Sequence, residues 1–200
     1  MSVAAAHLLK FPLPGKEKIF GNQRFSLDNV GRVFGIMDEV LYSMALYREI
    51  RPWERDNKVF DPELRKFWLM ISNNAILMTV INWCKVFGAE KNNKTNYSRY
   101  VDAEHFRTEL KGISFEDISE RMRNIRDKFA VHEDDYSKRK PIPEFDPAIQ
   151  VMEAFTRTVQ QEYDIPDLPP IRGCLEAYKE QIRNCLRKCE IDWTIPNSDD

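Results

Sequence analysis

Arg126 and His132 stand six residues apart in the run Arg121-Met122-Arg123-Asn124-Ile125-Arg126-Asp127-Lys128-Phe129-Ala130-Val131-His132-Glu133. An arginine presents a fixed, always-charged fork of donors that matches phosphate oxygens, and a histidine takes up and releases a proton near neutral pH. Those two groups, with the Asp127 carboxylate beside them, suit chemistry on a phosphodiester. On a straight helix, six residues turn about 600°, leaving the two side chains roughly 120° apart and about 9 Å separated along the axis. A long arginine reach, a helix irregularity after Phe129, or a seam between two subunits would gather them.

The element that must position them is an amphipathic helix. Phe115, Ile118, Met122, Ile125 and Phe129 follow a 3-4-3-4 spacing and should face a core. Ser114-Phe115-Glu116-Asp117 opens it like a capping box, with Asp117 in place of the usual Glu or Gln. The helix is expected over about 114–136.

Arg126-Asp127-Lys128-Phe129-Ala130-Val131-His132 resembles the signature of the HEPN superfamily: an arginine, four to six residues of which the first is polar, then a histidine. The wording is most similar to the branch found in abortive-infection phage-resistance proteins. The likeness is sharp over the motif and architectural over residues 26–163. It implies a small α-helical bundle, commonly a homodimer, acting as a metal-independent endoribonuclease of phage-defence or toxin–antitoxin type. It places the site in a cleft at the dimer interface, with Arg and His from both chains. His132 would then carry the proton of the ribose 2′-hydroxyl or of the leaving oxygen, giving a 2′,3′-cyclic phosphate. Arg126 would clamp the phosphate, and Asp127, in the polar slot, would orient Arg126 or His132. The implied partners are an RNA substrate and an antitoxin protein, with no cofactor. Other members of the superfamily are non-catalytic dimerisation or binding modules, so a module for a protein or nucleotide partner is the rival reading. A small-molecule-binding bundle is a third, for which no motif speaks.

Arg121, Arg123 and Lys128, with Lys138, Arg139 and Lys140, are candidates for an RNA-binding rim. Acids alternate with them, as on a solvated helix face with i,i+4 pairs. Arg123-Asn124 also begins like the motif, but His132 then lies too far on. His132-Glu133-Asp134-Asp135, or Asp102 with His105, would be hard-metal ligands. No second ligand pair at helical metal spacing accompanies either, so no metal is expected. Cys174, Tyr178, Ile182, Cys185 and Cys189 form a stripe on the last helix that reads as a buried face. Cys84 reads likewise on the central helix. Among aromatics that could stack a base, Trp68 and Trp83 read as core or dimer seam, while Tyr97 and Tyr100 lie in a polar stretch.

The 200 residues are 42% hydrophobic and 31% charged, with seven glycines, which favours a folded, helix-rich chain. A formal net charge of −2 argues against a general nucleic-acid coat, while leaving room for a locally basic site. The N-terminal apolar run Val3 to Leu9, interrupted by His7, lacks the basic flank of a signal peptide. No window reads as a bilayer span of about 20 apolar residues. A cytoplasmic protein with free thiols and no membrane partner is expected.

The remaining segments read as an all-α, up-and-down bundle. Main helices are expected at about 28–51, ended by Pro52, at 62–87 behind Asp61-Pro62 and closed by Gly88, at 114–136 and at 147–163. A short helix follows Asp102, and a C-terminal helix spans about 171–191. The domain division is an irregular arm over 1–25, the bundle over 26–165, and a C-terminal helix and tail over 166–200 packed on it. Nothing reads as an alternating strand of useful length. The 62–87 segment is apolar nearly all round, which suits a central helix or one covered by a second subunit.

Overall fold

The computed structural model describes residues 17–20, 23–56, 62–88, 93–131, 145–165 and 167–193. The fold is all-α. Its helices are α1 (Leu27–Asp56), α2 (Pro62–Phe87), α3 (Ala103–Glu109), α4 (Phe115–Val131), α5 (Asp146–Tyr163) and α6 (Ile171–Trp193).

One small sheet departs from the expected irregular arm. Strands β1 (Glu17–Phe20) and β2 (Gln23–Ser26) pair antiparallel, with Glu17 opposite Ser26 and Phe20 opposite Gln23. Each strand has four residues, too few for a period-2 pattern to stand out in the sequence. Only two residues separate them, Gly21-Asn22, a dipeptide of hairpin type.

The core follows the helical stripes. Val30, Val33, Phe34, Met37, Val40, Leu41, Met44 and Ala45 of α1 are all buried. They face α2, whose buried side runs Ser72, Ala75, Ile76, Thr79, Val80, Trp83, Val86 and Phe87. Thr79 meets its own need inside the helix, donating from Oγ1 to the Ala75 carbonyl at 2.9 Å. Helix α5 is enclosed over more than half its length, with ten of its 18 residues buried. Pro52 does not end α1, which continues to Asp56. A proline removes one backbone donor, and the helix runs one more turn past that loss.

Rings fill the centre where α2, α3, α4 and α5 meet. Phe87 stacks on Tyr97 and Phe106 and meets Phe155 edge-on. Phe115, from the first turn of α4, meets Phe106 and Tyr97 edge-on at centroid distances of 5.5 and 5.2 Å. Such pairs add about 0.5–1.5 kcal/mol each beyond the area they bury. Together they fix where α4 starts.

Polar groups set the remaining seams. Asp102 caps α3 by accepting from the backbone N–H groups of Glu104 and His105. Gly112, at φ 85°, turns the chain between α3 and α4 in a conformation that side chains with a Cβ rarely adopt. Helix α6 lies along α1. There Glu49 pairs with Arg183 at 2.9 Å, and Tyr178 donates to Asp38 at 2.5 Å. Burial and the Asp38 carboxylate together push the Tyr178 phenol well above its ordinary range.

Two expectations, one about the cysteine face of α6 and one about bilayer-length windows, need correction. On α6 the buried row is Ile171, Leu175, Tyr178, Ile182 and Leu186, while Cys174 is half-buried and Cys185 exposed. Of the expected stripe, Tyr178 and Ile182 belong to the buried row, while Cys174 and Cys185 lie to one side of it because Leu175 and Leu186, one position on, fill it; the Cys189 side chain lies outside the described residues. Cys84, Cys174 and Cys185 are free thiols. On α2, Phe67, Met70 and Met78 are exposed. Lys66–Phe87 is also long and apolar enough to cross a bilayer, against the expectation that no window is. It packs instead as a bundle helix against α1 and α4.

Candidate functional site

Helix α4 carries the motif on the edge between its buried and solvent faces. Ile118 and Met122 are buried, Phe115 and Ile125 partly so, and Ser119 donates to the Phe87 carbonyl at the end of α2 at 3.4 Å. Arg126 follows Met122 by one helical turn, so it continues the row that touches the core. Its side chain is 30% exposed, against 61% for Asp127. Arg126 donates from Nε to Asp127 Oδ1 at 2.9 Å. The carboxylate thus engages the guanidinium of its chain neighbour.

The rim residues separate. Arg123 is half-buried and bends back to donate from Nε to the Ser119 carbonyl at 3.4 Å. Arg121 is exposed. Lys128 lies on the α4 backbone, with its side chain outside the described residues. His132 lies outside them too, together with Glu133, Asp134, Asp135, Lys138, Arg139 and Lys140. Helix α4 is regular to Val131, so no irregularity intervenes between Phe129 and that residue.

A cleft of about 230 Å³ opens beside the same row. Its apolar wall comes from Ile113, Ile118, Met122, Pro147 and Ala148, and its polar rim from Ser114, Asp117, Arg121 and Gln150. Sequence reasoning assigned Asp117 to helix capping and passed over Gln150. Nothing local in the sequence joins α4 to the start of α5. Ser114 Oγ accepts from the Asp117 backbone N–H at 3.3 Å, so the capping contact exists while the Asp117 carboxylate stays on the cleft rim.

The other chemical candidates resolve into structure. Trp83 is fully buried and donates from Nε1 to the Ala148 carbonyl at 3.3 Å. Tyr97 packs within the ring cluster, 4.6 Å from Phe106. Tyr100 is buried and donates to the Lys94 carbonyl. Tyr97 is half-buried with its ring against Phe87, Phe106 and Phe115, whereas Tyr100 is buried with its hydroxyl turned to the backbone. Burial pushes both phenols up. His105 lies between Glu162 at 3.1 Å and Gln161 at 2.6 Å, bridging α3 to the end of α5, and Asp102 is engaged as a cap. Among the described residues, no three His, Cys, Asp or Glu side chains gather at metal-binding distance. The Cys174 thiol is pushed up by burial and by nearby Asp38, away from reactivity.

The fold and site define an all-α helical bundle with an arginine–aspartate pair beside an open cleft. No family model, curated protein or solved structure matches the chain.

Proposed function

We propose that this chain is a HEPN-like, metal-independent endoribonuclease of phage-defence or toxin–antitoxin type, working as a homodimer. The observation that carries the reading is the Arg126 guanidinium, held by Asp127 on the solvent edge of a bundle helix, with His132 following at the motif spacing. Arg126 clamps the scissile phosphate and stabilises charge that builds in the transition state. His132 moves the proton of the 2′-hydroxyl or the leaving oxygen. The exposed row Phe67, Met70 and Met78 on α2 supports a second copy as partner, since apolar residues at helical spacing gain by being covered.

The test is cleavage of RNA by purified protein in EDTA, beside Arg126→Ala and His132→Ala. Cleavage by wild type and by neither variant upholds the enzyme. Absent cleavage, or equal cleavage by all three, moves the assignment to a non-catalytic binding module. That second reading draws on the net charge of −2 and on the angular offset of Arg126 from His132 on an ideal helix. Expression in cells gives an independent readout: a toxin slows growth, and the two variants relieve it.

A further inference from the structure

Three polar side chains on the α4–α5 cleft have no other work in the described structure. Arg121, Asp117 and Gln150 line it, and among the described residues none of their side chains is engaged by a hydrogen bond or ion pair. Neighbouring arginines are engaged: Arg123 on the Ser119 carbonyl, Arg126 on Asp127 and Arg157 on Glu109. Asp117 and Arg121 are one turn apart on α4, yet they do not pair with each other. Beneath them, Ile118, Met122 and Ala148 are all buried, giving the cleft an apolar floor.

The size and chemistry of this place select a ligand. About 230 Å³ falls below the ~300 Å³ at which pockets for drug-sized molecules begin, so it takes one ring system. An apolar floor with a polarizable methionine receives the face of a heterocycle. The rim then meets the ring edge with a carboxylate and a guanidinium one turn apart on α4. Guanine carries both complements: N1–H and the N2 amino group for a carboxylate, O6 and N7 for a guanidinium. Adenine and cytosine offer a carboxylate only an amino group, and uracil only one ring N–H. Gln150 supplies an amide that donates or accepts. Ile118, Met122 and Arg126 follow one another at i, i+4 steps, so the cleft shares its face of α4 with the phosphate clamp.

We propose that this cleft is a guanine-binding subsite, which selects the RNA position presented to Arg126. The RNA part rests on the ribonuclease reading; the guanine part does not. The full chain is titrated calorimetrically with guanosine and with the 5′-monophosphates of guanosine, adenosine, cytidine and uridine. Guanosine and its monophosphate bind, and the other three bind at least about 10-fold more weakly. Asp117→Asn and Gln150→Leu each reduce that preference by about 5- to 150-fold, the range for losing one well-placed base contact. Both positions lie on the cleft rim, so far-UV circular dichroism and melting stay unchanged in either variant. Equal binding of all four monophosphates with none of guanosine makes Arg121 a bare phosphate contact and overturns the subsite. Absence of any binding overturns it too. RNA cleavage without guanine preference sinks the subsite and leaves the ribonuclease. Guanosine binding by a chain that cuts no RNA keeps the subsite and removes the enzyme.

Discussion

The indole of Trp83 holds the carbonyl of Ala148, donating from Nε1 at 3.3 Å across the α2–α5 contact. A fully buried ring on the central helix therefore fixes the first turn of α5, and that turn forms one wall of the cleft. Trp83→Ala costs about 3–5 kcal/mol in urea unfolding, from lost burial and the cavity left behind. Trp83→Phe keeps most of the volume and leaves the Ala148 carbonyl unpaired, costing about 1–3 kcal/mol. A cost below 1 kcal/mol for the alanine variant would show that the ring is not part of the core.

Arg126→Lys keeps the charge and removes the planar fork that Asp127 holds. RNA cleavage falls about 10²- to 10³-fold, close to the loss in Arg126→Ala, as when a transition-state donor is removed. Lysine activity near wild type would mean that charge alone suffices. Under the proposed ribonuclease reading, Asp127→Asn acts through Arg126 and lowers kcat without shifting the pH profile of cleavage.

Arg157 donates to both Glu109 Oε2 and the Glu109 carbonyl, at 2.8 and 2.9 Å, tying α5 to the end of α3. The Arg157 bond holds the Glu109 carboxyl below its usual value of 4.5. Its stabilisation is therefore fully present above that value and is lost as pH falls through the lowered native one. Glu109→Gln loses about 1–2 kcal/mol at neutral pH and flattens the acid limb of a stability-versus-pH curve. An unchanged acid limb would count against the pair.

Tyr163 donates to the Tyr100 carbonyl at 2.7 Å, closing the end of α5 over the turn before α3. Burial, then Glu162, then Tyr100 raise its phenol from 10.0 to about 12. The folded chain keeps this proton after the unfolded chain has released it. Its contribution is complete below pH 10 and is lost as pH rises through about 12. Tyr163→Phe shows a shallower loss of stability over that window, read by chemical denaturation at stepped pH.

Met70→Lys and Met78→Lys place charge on the exposed side of α2. Monomer stability changes by no more than about 0.5 kcal/mol, because neither side chain is in the core. Sedimentation of the wild-type chain as a dimer, and of the double variant as a monomer, is the result expected of an α2 seam. A wild-type monomer at all concentrations would remove the dimer.

Much of the fold was written in local chemistry. Asp61-Pro62 and Gly88 bracket a helix that runs from Pro62 to Phe87, and Asp102 caps the short helix it was expected to open. Capping residues, prolines and 3.6-residue stripes act within a few positions of themselves, so sequence alone displays them. The same holds for Arg126 and Asp127, neighbours on one helix whose contact needs no distant partner.

What the sequence left open depends on residues far apart in the chain. It could not show that Tyr97 turns inward, because the rings that receive it, Phe87 and Phe106, come from other helices. It could not separate the cysteine row of α6 from the leucine row beside it, since both have helical spacing and only the position of α1 chooses between them. Nor could it join Arg121 and Asp117 to Gln150, which meet only after the chain returns to lay α5 against α4. Helix periodicity says which residues share a face; tertiary packing alone decides what that face meets.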